Sequence, residues 1–389
     1  MNKNSKILVC GGTGLVGSAI VRKLVEKGYK NIIVTYHNKK PNTPITNNRS
    51  ANIKWIQIDL KDRIKTDKLF EKEKPEFVFL VAAKVGGIVA NNTYRADFIY
   101  ENLEIQNSVI YNAYKHNVKK LMFLGSTCIY PKNCPQPIKE EYLLTGELEY
   151  TNEPYAIAKI AGIKMCESFN IQYGTNFIAV MPTNLYGEND NFNLETSHVL
   201  PALIRKIYLG KCLEENNFES IKKDLNKRPI ENIDGNATEK EILDILEKFG
   251  IKKGKIEIWG SGKPKREFLY SDDMADACVY LMEKVDFQDI VQEQFGVNTT
   301  CDVTTYTTKE IKNTQINIGT GKDISIKELA YMIKDIVSYQ GDFYFNTSKP
   351  DGTMRKVTDV SKLHKLGWKH RVELEDGVRK IFKWYVNDY

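Results

Sequence analysis

Ser5-Lys-Ile-Leu-Val-Cys10-Gly11-Gly12-Thr13-Gly14-Leu15-Val16-Gly17 is the stretch on which the fold turns. A short β-branched run stops at Cys10, and an apolar helical pattern then continues to about Lys27. Gly12, Gly14 and Gly17 stand at the spacing G-x-G-x-x-G. One glycine permits a tight turn, the next lets bare backbone approach a pyrophosphate, and the last lets helix pack closely on strand. Because the motif follows a strand and opens a helix, it predicts a dinucleotide loop.

Working outward, Asn31–Tyr36 reads as a second strand, followed by His37-Asn-Lys39-Lys40 with no acidic residue at its end. A carboxylate there would grip the ribose 2′-hydroxyl of NAD, whereas positive charge accommodates a 2′-phosphate, so NADP (as NADPH) is expected, with NAD the alternative. Trp55–Leu60 is predicted as a third strand whose Asp59-Leu60 end reaches the adenine. Glu76–Val81 reads as a fourth and runs into Ala82-Ala83-Lys84. Leu121–Leu124 and Phe177–Met181 read as the fifth and sixth, with helices over Ala96–His116 and Tyr155–Tyr173. This alternation specifies an α/β fold, a doubly wound parallel sheet of Rossmann type.

The dinucleotide-binding domain is expected over residues 1–185, with returning segments about 264–285 and 314–322. A smaller C-terminal α+β substrate-binding lobe takes 186–263 and 323–389, with polar insertions about 211–255 and 286–314.

At 389 residues, 42% hydrophobic and 27% charged, the chain has the balance of a water-soluble enzyme with no membrane-spanning run. Its net charge of +6 is spread out, which suits an anionic metabolite and argues against a nucleic-acid partner. Seven cysteines without metal-ligand spacing point to reduced thiols in a cytoplasmic protein and to no metal site.

The chemistry is concentrated between Ser126 and Lys159. Tyr155 and Lys159 lie four residues apart on a predicted helix and share a face. An ammonium beside a phenol favours the phenolate, which would make Tyr155 an acid or base near neutrality. Taken alone, Tyr-x-x-x-Lys is a common surface pair. Here it follows a glycine loop and a strand that ends on Ser126, with Cys128 two residues further on.

Together these motifs resemble the extended short-chain dehydrogenase/reductase family, and within it the enzymes that act on GDP-sugars. The resemblance runs through Ala82 to Ile88, Gly125 to Pro131, Thr151 to Lys159, Pro182 to Gly187, Ser197 to Ile204, Trp259 to Phe268 and Ser348 to Gly352. It implies NADPH-dependent 3,5-epimerisation and 4-reduction of GDP-4-keto-6-deoxy-D-mannose to GDP-L-fucose. Cys128 and His198 would exchange the protons on C3 and C5, which a C4 ketone acidifies. Tyr155 would protonate O4, Ser126 would hydrogen-bond it, and Lys159 would hold the nicotinamide ribose and tune Tyr155.

The same likeness sets Gly11, Thr13, Leu15, Val16, Ala82, Ala83, Pro182, Asn184, Leu185 and His198 against the cofactor. It sets Lys84, Asn184, Arg205, Lys206, Trp259, Arg266, Asp351 and Lys356 around the sugar nucleotide. Trp259 and Arg266 have closing the domain interface as their other reading, and Lys84 has a solvated one. Two departures stand out: bacterial relatives often carry an arginine where this chain has Thr13, and a paired arginine is Lys206 here. A homodimer through the helices near 96–116 and 155–173 is also implied.

Three other readings compete. A 4-reductase on a related GDP-4-keto-6-deoxy sugar such as a heptose keeps every motif. A 4,6-dehydratase would place Thr-Asp-Glu where Ser126-Thr127-Cys128 stands, and a non-catalytic dinucleotide-binding regulator has no need of Tyr155 with Lys159.

Overall fold

Ile7 and Val9 pack on one side of the first strand, Leu8 and Cys10 on the other, and all four are wholly buried in the computed structural model of the chain. A strand that is apolar on both faces must be covered on both, which makes it part of a parallel sheet between helical layers. The structure describes residues 1–38, 51–295 and 310–387.

In chain order the elements begin β1 (Lys6–Cys10), α1 (Leu15–Glu26), β2 (Asn31–Tyr36), β3 (Asn52–Gln57), α2 (Arg63–Glu73), β4 (Phe77–Leu80), α3 (Ile88–Thr93) and α4 (Arg95–Lys115). They continue with β5 (Lys120–Leu124), α5 (Glu153–Tyr173), β6 (Phe177–Pro182), β7 (Asn184–Tyr186), α6 (Val199–Glu214), α7 (Phe218–Lys227) and α8 (Glu239–Lys248). After these come β8 (Ile251–Lys252), β9 (Lys255–Trp259), β10 (Lys265–Arg266), β11 (Phe268–Tyr270), α9 (Ser271–Lys284), α10 (Phe287–Phe295) and β12 (Ile316–Ile318). The last are β13 (Ile324–Ser325), α11 (Ile326–Val337), β14 (Asp342–Asn346), β15 (Arg355–Lys356), α12 (Ser361–Lys365) and α13 (Leu374–Asn387).

Two compact units divide this chain. The first comprises Met1–Leu185, Leu269–Gly321 and Thr358–Arg371. It holds the expected doubly wound sheet, seven strands in the order β12-β6-β5-β4-β1-β2-β3, every neighbouring pair parallel. Strand order reverses between β1 and β4, the place where open α/β sheets take their ligands. α1 and α9 cover one face with Ile20, Leu24, Met274 and Leu281, while α2, α4 and α5 cover the other with Phe70, Val109, Ile110 and Ile163. Each such side chain contributes about 1.5–3 kcal/mol by leaving water.

The second unit comprises Tyr186–Phe268, Lys322–Val357 and Val372–Tyr389. It holds two three-stranded sheets, β14-β9-β8 and β13-β10-β15, among the described residues, and α6 packs against α11 and α7. Thr238 and Glu241 form a capping box that starts α8, and Ser325 with Glu328 does the same for α11.

Some elements differ from the sequence reading. β3 ends at Gln57, so Asp59 and Leu60 occupy the turn beyond it and not the strand. The polar stretch 211–255 holds α7 as well as the anticipated α8, because Ile221 and Leu225, one turn apart, bury an apolar stripe in an otherwise charged run. Lys39 and residues 296–309 of the stretch 286–314 lie outside the described residues, and the start of that stretch is α10, with Ile290 and Val291 buried.

Candidate active site

The glycine loop is built as its spacing requires, each glycine for a different reason. Gly11 takes φ +84°, and a Cβ there would lie 2.8 Å from the Cα of Ala82. A Cβ on Gly12 would fall 2.0 Å from Cγ1 of Val34, and one on Gly17 only 2.1 Å from the carbonyl oxygen of Gly11. At Gly14 a Cβ meets nothing within 4 Å. Gly14 also caps α1 without a side-chain hydrogen bond, so the first N–H groups of the helix face that open side. Bare backbone at a helix N-terminus suits a pyrophosphate, so these residues fit a dinucleotide. Thr35 fixes the loop from β2, its Oγ1 accepting from Gly11 N at 3.1 Å and its carbonyl from Gly12 N at 2.9 Å.

Beyond the ends of β2 and β3, His37 is exposed and stands 3.6 Å from the carboxylate of Asp59, which also accepts from the backbone N–H of Lys61 at 3.0 Å. Leu60 is buried beside them. Beyond β4, the peptide of Lys84 is held from both sides by Asn102 of α4: Lys84 N donates to Oδ1 and Nδ2 donates back to the Lys84 carbonyl, each at 3.0 Å. The Lys84 ammonium is committed to Glu101 and to Asp97 at 3.1 Å. Its expected role at the sugar nucleotide therefore competes with two carboxylates. Sequence reasoning missed Asn102 and Glu101; the signal was a polar Asn102 one turn from Phe98 on a face that is buried.

Ser126, Cys128, Tyr155 and Lys159 are brought together. β5 ends at Leu124, and Ser126 caps a short 3-10 turn, its Oγ accepting from the Cys128 N–H at 3.3 Å. α5 starts through Pro154 in its first turn and stops at Gly174, which takes φ +64°. Between these ends Lys159 is 3% exposed and Tyr155 partly buried, and Cys128 is close enough for a thiolate there to act on both.

One expectation is corrected. Lys159 was to lower the Tyr155 phenol, yet burial, and then the charge of a Cys128 thiolate, push that phenol well above its ordinary value. The Lys159 ammonium donates instead to the carbonyl of Leu124 at 2.8 Å, and its nitrogen lies 5.7 Å from the Tyr155 ring centroid. Burial lowers Lys159 itself to about 8. In this state Tyr155 is a firmly protonated acid, suited to giving a proton to a developing alkoxide.

In the second unit, His198 is the exposed N-cap of α6, and partial desolvation holds its imidazole below the usual value. An imidazole held low in this way favours its neutral form. Trp259 at the end of β9 is 62% exposed, with the Lys349 ammonium 5.1 Å from its ring centroid, which leaves an apolar face for stacking.

Arg205 requires a second correction: expected beside the sugar nucleotide, it is wholly buried. Nε donates to Asp224 Oδ2 at 2.9 Å, Nη1 to the Phe192 carbonyl at 3.2 Å, and Nη2 to the Arg228 carbonyl. An unpaired guanidinium cannot be buried, and the partner came from α7, which sequence reading had not drawn. Lys206 donates to the Glu257 carbonyl at 3.1 Å, and burial pushes it down to about 8. Asp351 accepts from Ser261 N at 2.8 Å and from its Oγ at 2.7 Å, and Arg266 Nη1 donates to the Thr353 carbonyl at 2.5 Å. Asp351 thus pins the loop after β14 to the loop after β9, and Arg266 ties the same loop to β10. Lys356 aligns with Arg266 in the parallel pair β10–β15. Pro182 and Asn184 bracket the passage from β6 to β7, with Leu185 the last residue of its segment in the first unit.

Among the described residues no group of three or more His, Cys, Asp or Glu side chains gathers as a metal site, and no helix is long and apolar enough to cross a membrane. A doubly wound sheet, a dinucleotide loop and a Ser126-Tyr155-Lys159 group at the end of β5 define an extended short-chain dehydrogenase/reductase.

The chain belongs to the NAD dependent epimerase/dehydratase family, whose model it matches over residues 7–230 and 229–293. It is 43% identical to GDP-L-fucose synthase 1 of Arabidopsis thaliana, over 100% of this chain and 95% of that one. It is 40% identical to the GDP-L-fucose synthase of Escherichia coli strain K12, over 98% of this chain and 97% of that one. Among solved structures, a GDP-D-glycero-L-gluco-heptose synthase from Campylobacter jejuni, in the presence of NADPH, is 44% identical with a TM-score of 0.84, over 99% of each chain.

Proposed function

We propose that this protein converts GDP-4-keto-6-deoxy-D-mannose to GDP-L-fucose with NADPH, inverting C3 and C5 and reducing C4. The observation that carries the reading is the gathering of Ser126, Cys128, Tyr155 and Lys159 at the end of β5, supported by full-length identity of 40–43% to GDP-L-fucose synthases. Gly11 to Gly17 and the start of α1 hold the pyrophosphate, and Thr35 and Ala82 keep that loop in place. When bound, the nicotinamide supplies the hydride that arrives at C4. Tyr155 gives its proton to O4, the Ser126 hydroxyl donates to the same oxygen, and the Lys159 ammonium adds a positive field close by.

Before reduction, the C4 ketone acidifies the hydrogens on C3 and C5. This reading assigns their removal and return to Cys128 and His198. Neutral His198 takes a proton first, then delivers it to the enolate carbon.

A second reading follows from the 44% identity to the heptose synthase: reduction at C4 of a GDP-4-keto heptose. Product NMR after turnover with NADPH decides between them. With the 4-keto-6-deoxyhexose in D₂O and no nicotinamide, deuterium at C3 and C5 supports the epimerase. None there, with turnover of the heptose alone, overturns it.

A cytoplasmic homodimer completes the proposal. Tyr100 and Tyr111 of α4 and Ile157, Ile171 and Tyr173 of α5 are exposed, an apolar surface that a second copy would cover. The buried thiols of Cys10, Cys166, Cys212 and Cys278 suit a reducing compartment. Light scattering tests the stoichiometry.

A further inference from the structure

Beside its buried apolar side chains, the polar segment between α6 and β9 sends a carboxylate into the core of the second unit. Asp224, from the middle of α7, is wholly buried, as is its partner Arg205 of α6. Arg205 Nη2 stands 2.8 Å from Asp224 Oδ2, and the other carboxylate oxygen accepts from the Tyr385 hydroxyl of α13. Arg228, one turn further along, lies 4.6 Å from the Tyr385 ring centroid and 5.4 Å from that of Phe192. Phe192 is thus clamped: its ring is 4.7 Å from Tyr385, and its carbonyl accepts from Arg205 Nη1 at 3.2 Å.

Phe192 opens the short run that delivers His198 to the start of α6. The run is folded on itself: Asn193 Oδ1 accepts from Glu195 N at 2.9 Å and Thr196 N at 3.1 Å, and its carbonyl accepts from Ser197 N at 2.9 Å. Ala202 N donates to the His198 carbonyl at 3.1 Å, closing the first turn. These bonds link the position of the first residue of the run to that of its last. Five residues separate Phe192 from His198, and Arg205, two turns into α6, grips the near end from behind.

We propose that α7 is a positioning element for His198, acting through the tether Asp224, Arg205 and the Phe192 carbonyl. The inference rests on the epimerase reading above for its catalytic consequence. A charged pair costs desolvation that an apolar pair would avoid, so its retention in this core calls for a use. Here the guanidinium reaches a backbone carbonyl that no apolar side chain could hold.

The test therefore compares Asp224→Asn with the double variant Arg205→Met/Asp224→Leu, which replaces the ion pair by apolar groups of similar size. The double variant leaves the Tyr385 hydroxyl and the Phe192 and Arg228 carbonyls without these partners, so it is expected to melt somewhat below wild type but to stay folded, and to lose C3 and C5 deuterium exchange at least tenfold relative to NADPH oxidation measured with the already inverted 4-keto sugar. Asp224→Asn should lower exchange in the same sense with reduction within twofold of wild type. Wild-type exchange in the double variant, or exchange and reduction falling in step in both variants, overturns the proposal.

An NMR titration of the five histidines, with His198→Ala to assign the signal, makes the answer independent of substrate. A tethered His198 changes its titration and sharpness in the double variant while the other signals stay; an unchanged His198 signal overturns the tether. Wild type that reduces without exchange sinks the epimerase reading, and the histidine titration still decides the tether.

Discussion

The Lys159 ammonium donates to the carbonyl of Leu124 at 2.8 Å, tying the helix of the reactive phenol to the last residue of β5. That bond fixes one side of the site before any ligand arrives. Burial lowers Lys159 to about 8, so in the folded protein it loses its proton well below the unfolded value. Between about pH 8 and 10 the unfolded chain binds this proton and the folded chain does not, so stability rises with pH across that window. Lys159→Met should remove up to about 3 kcal/mol of that rise. Denaturant unfolding at pH 7 and pH 10, wild type against variant, measures the difference, and equal slopes would contradict it.

On the proposed mechanism Tyr155 is the acid, and burial, which holds its phenol well above the usual value, keeps the proton on it. Tyr155→Phe should lower NADPH oxidation by roughly 10²–10⁴-fold while leaving deuterium exchange at C3 and C5 intact. Single-turnover kinetics and NMR of the recovered sugar read the two separately. Loss of both would assign Tyr155 to the proton exchange as well.

Gly14 and Gly17 answer differently to the same methyl. Gly17→Ala places a Cβ 2.1 Å from the Gly11 carbonyl oxygen and should unfold the loop, lowering Tm by several degrees. Gly14→Ala meets nothing within 4 Å and should keep the wild-type Tm, yet bind NADPH at least tenfold more weakly, because the methyl stands where backbone would approach phosphate. Calorimetric titration with thermal melts distinguishes them.

Asp190 carries a buried Oδ2 with no hydrogen-bond partner, and burial pushes its carboxyl up to about 7. Its folded value lies above the unfolded one, so stability is lost as pH rises from about 4 to 7 and the loss persists above 7. Asp190→Asn should raise Tm by about 2–4 °C at pH 8 and change it little at pH 4. An equal effect at both values would show that the carboxyl is already ionised in the folded protein.

The first sheet was legible because its strands are short, apolar on both faces and punctuated by glycine, and because local spacing dictates a turn that no other residue permits. Tyr155, Lys159 and Ser126 were legible for the same reason: their relation is one helical turn and one strand end. Arg205 was not. Its residue type suits a phosphate equally well, and only the arrival of Asp224 from a helix nineteen residues away decides that its charge is spent inside. Lys84 is a milder case, since Asp97 and Glu101 reach it from α4 across the end of β4.

The amino-acid order alone therefore determined the doubly wound sheet, the glycine loop at the start of α1 and the placing of Tyr155 and Lys159 one turn apart on α5, all properties of periodicity and nearest neighbours. The tertiary structure decided which charges remain available to a ligand and which way each proton leans. Those depend on burial and on partners distant in the chain, where a buried charge must be matched or neutralised and exposure alone cannot be read from residue type.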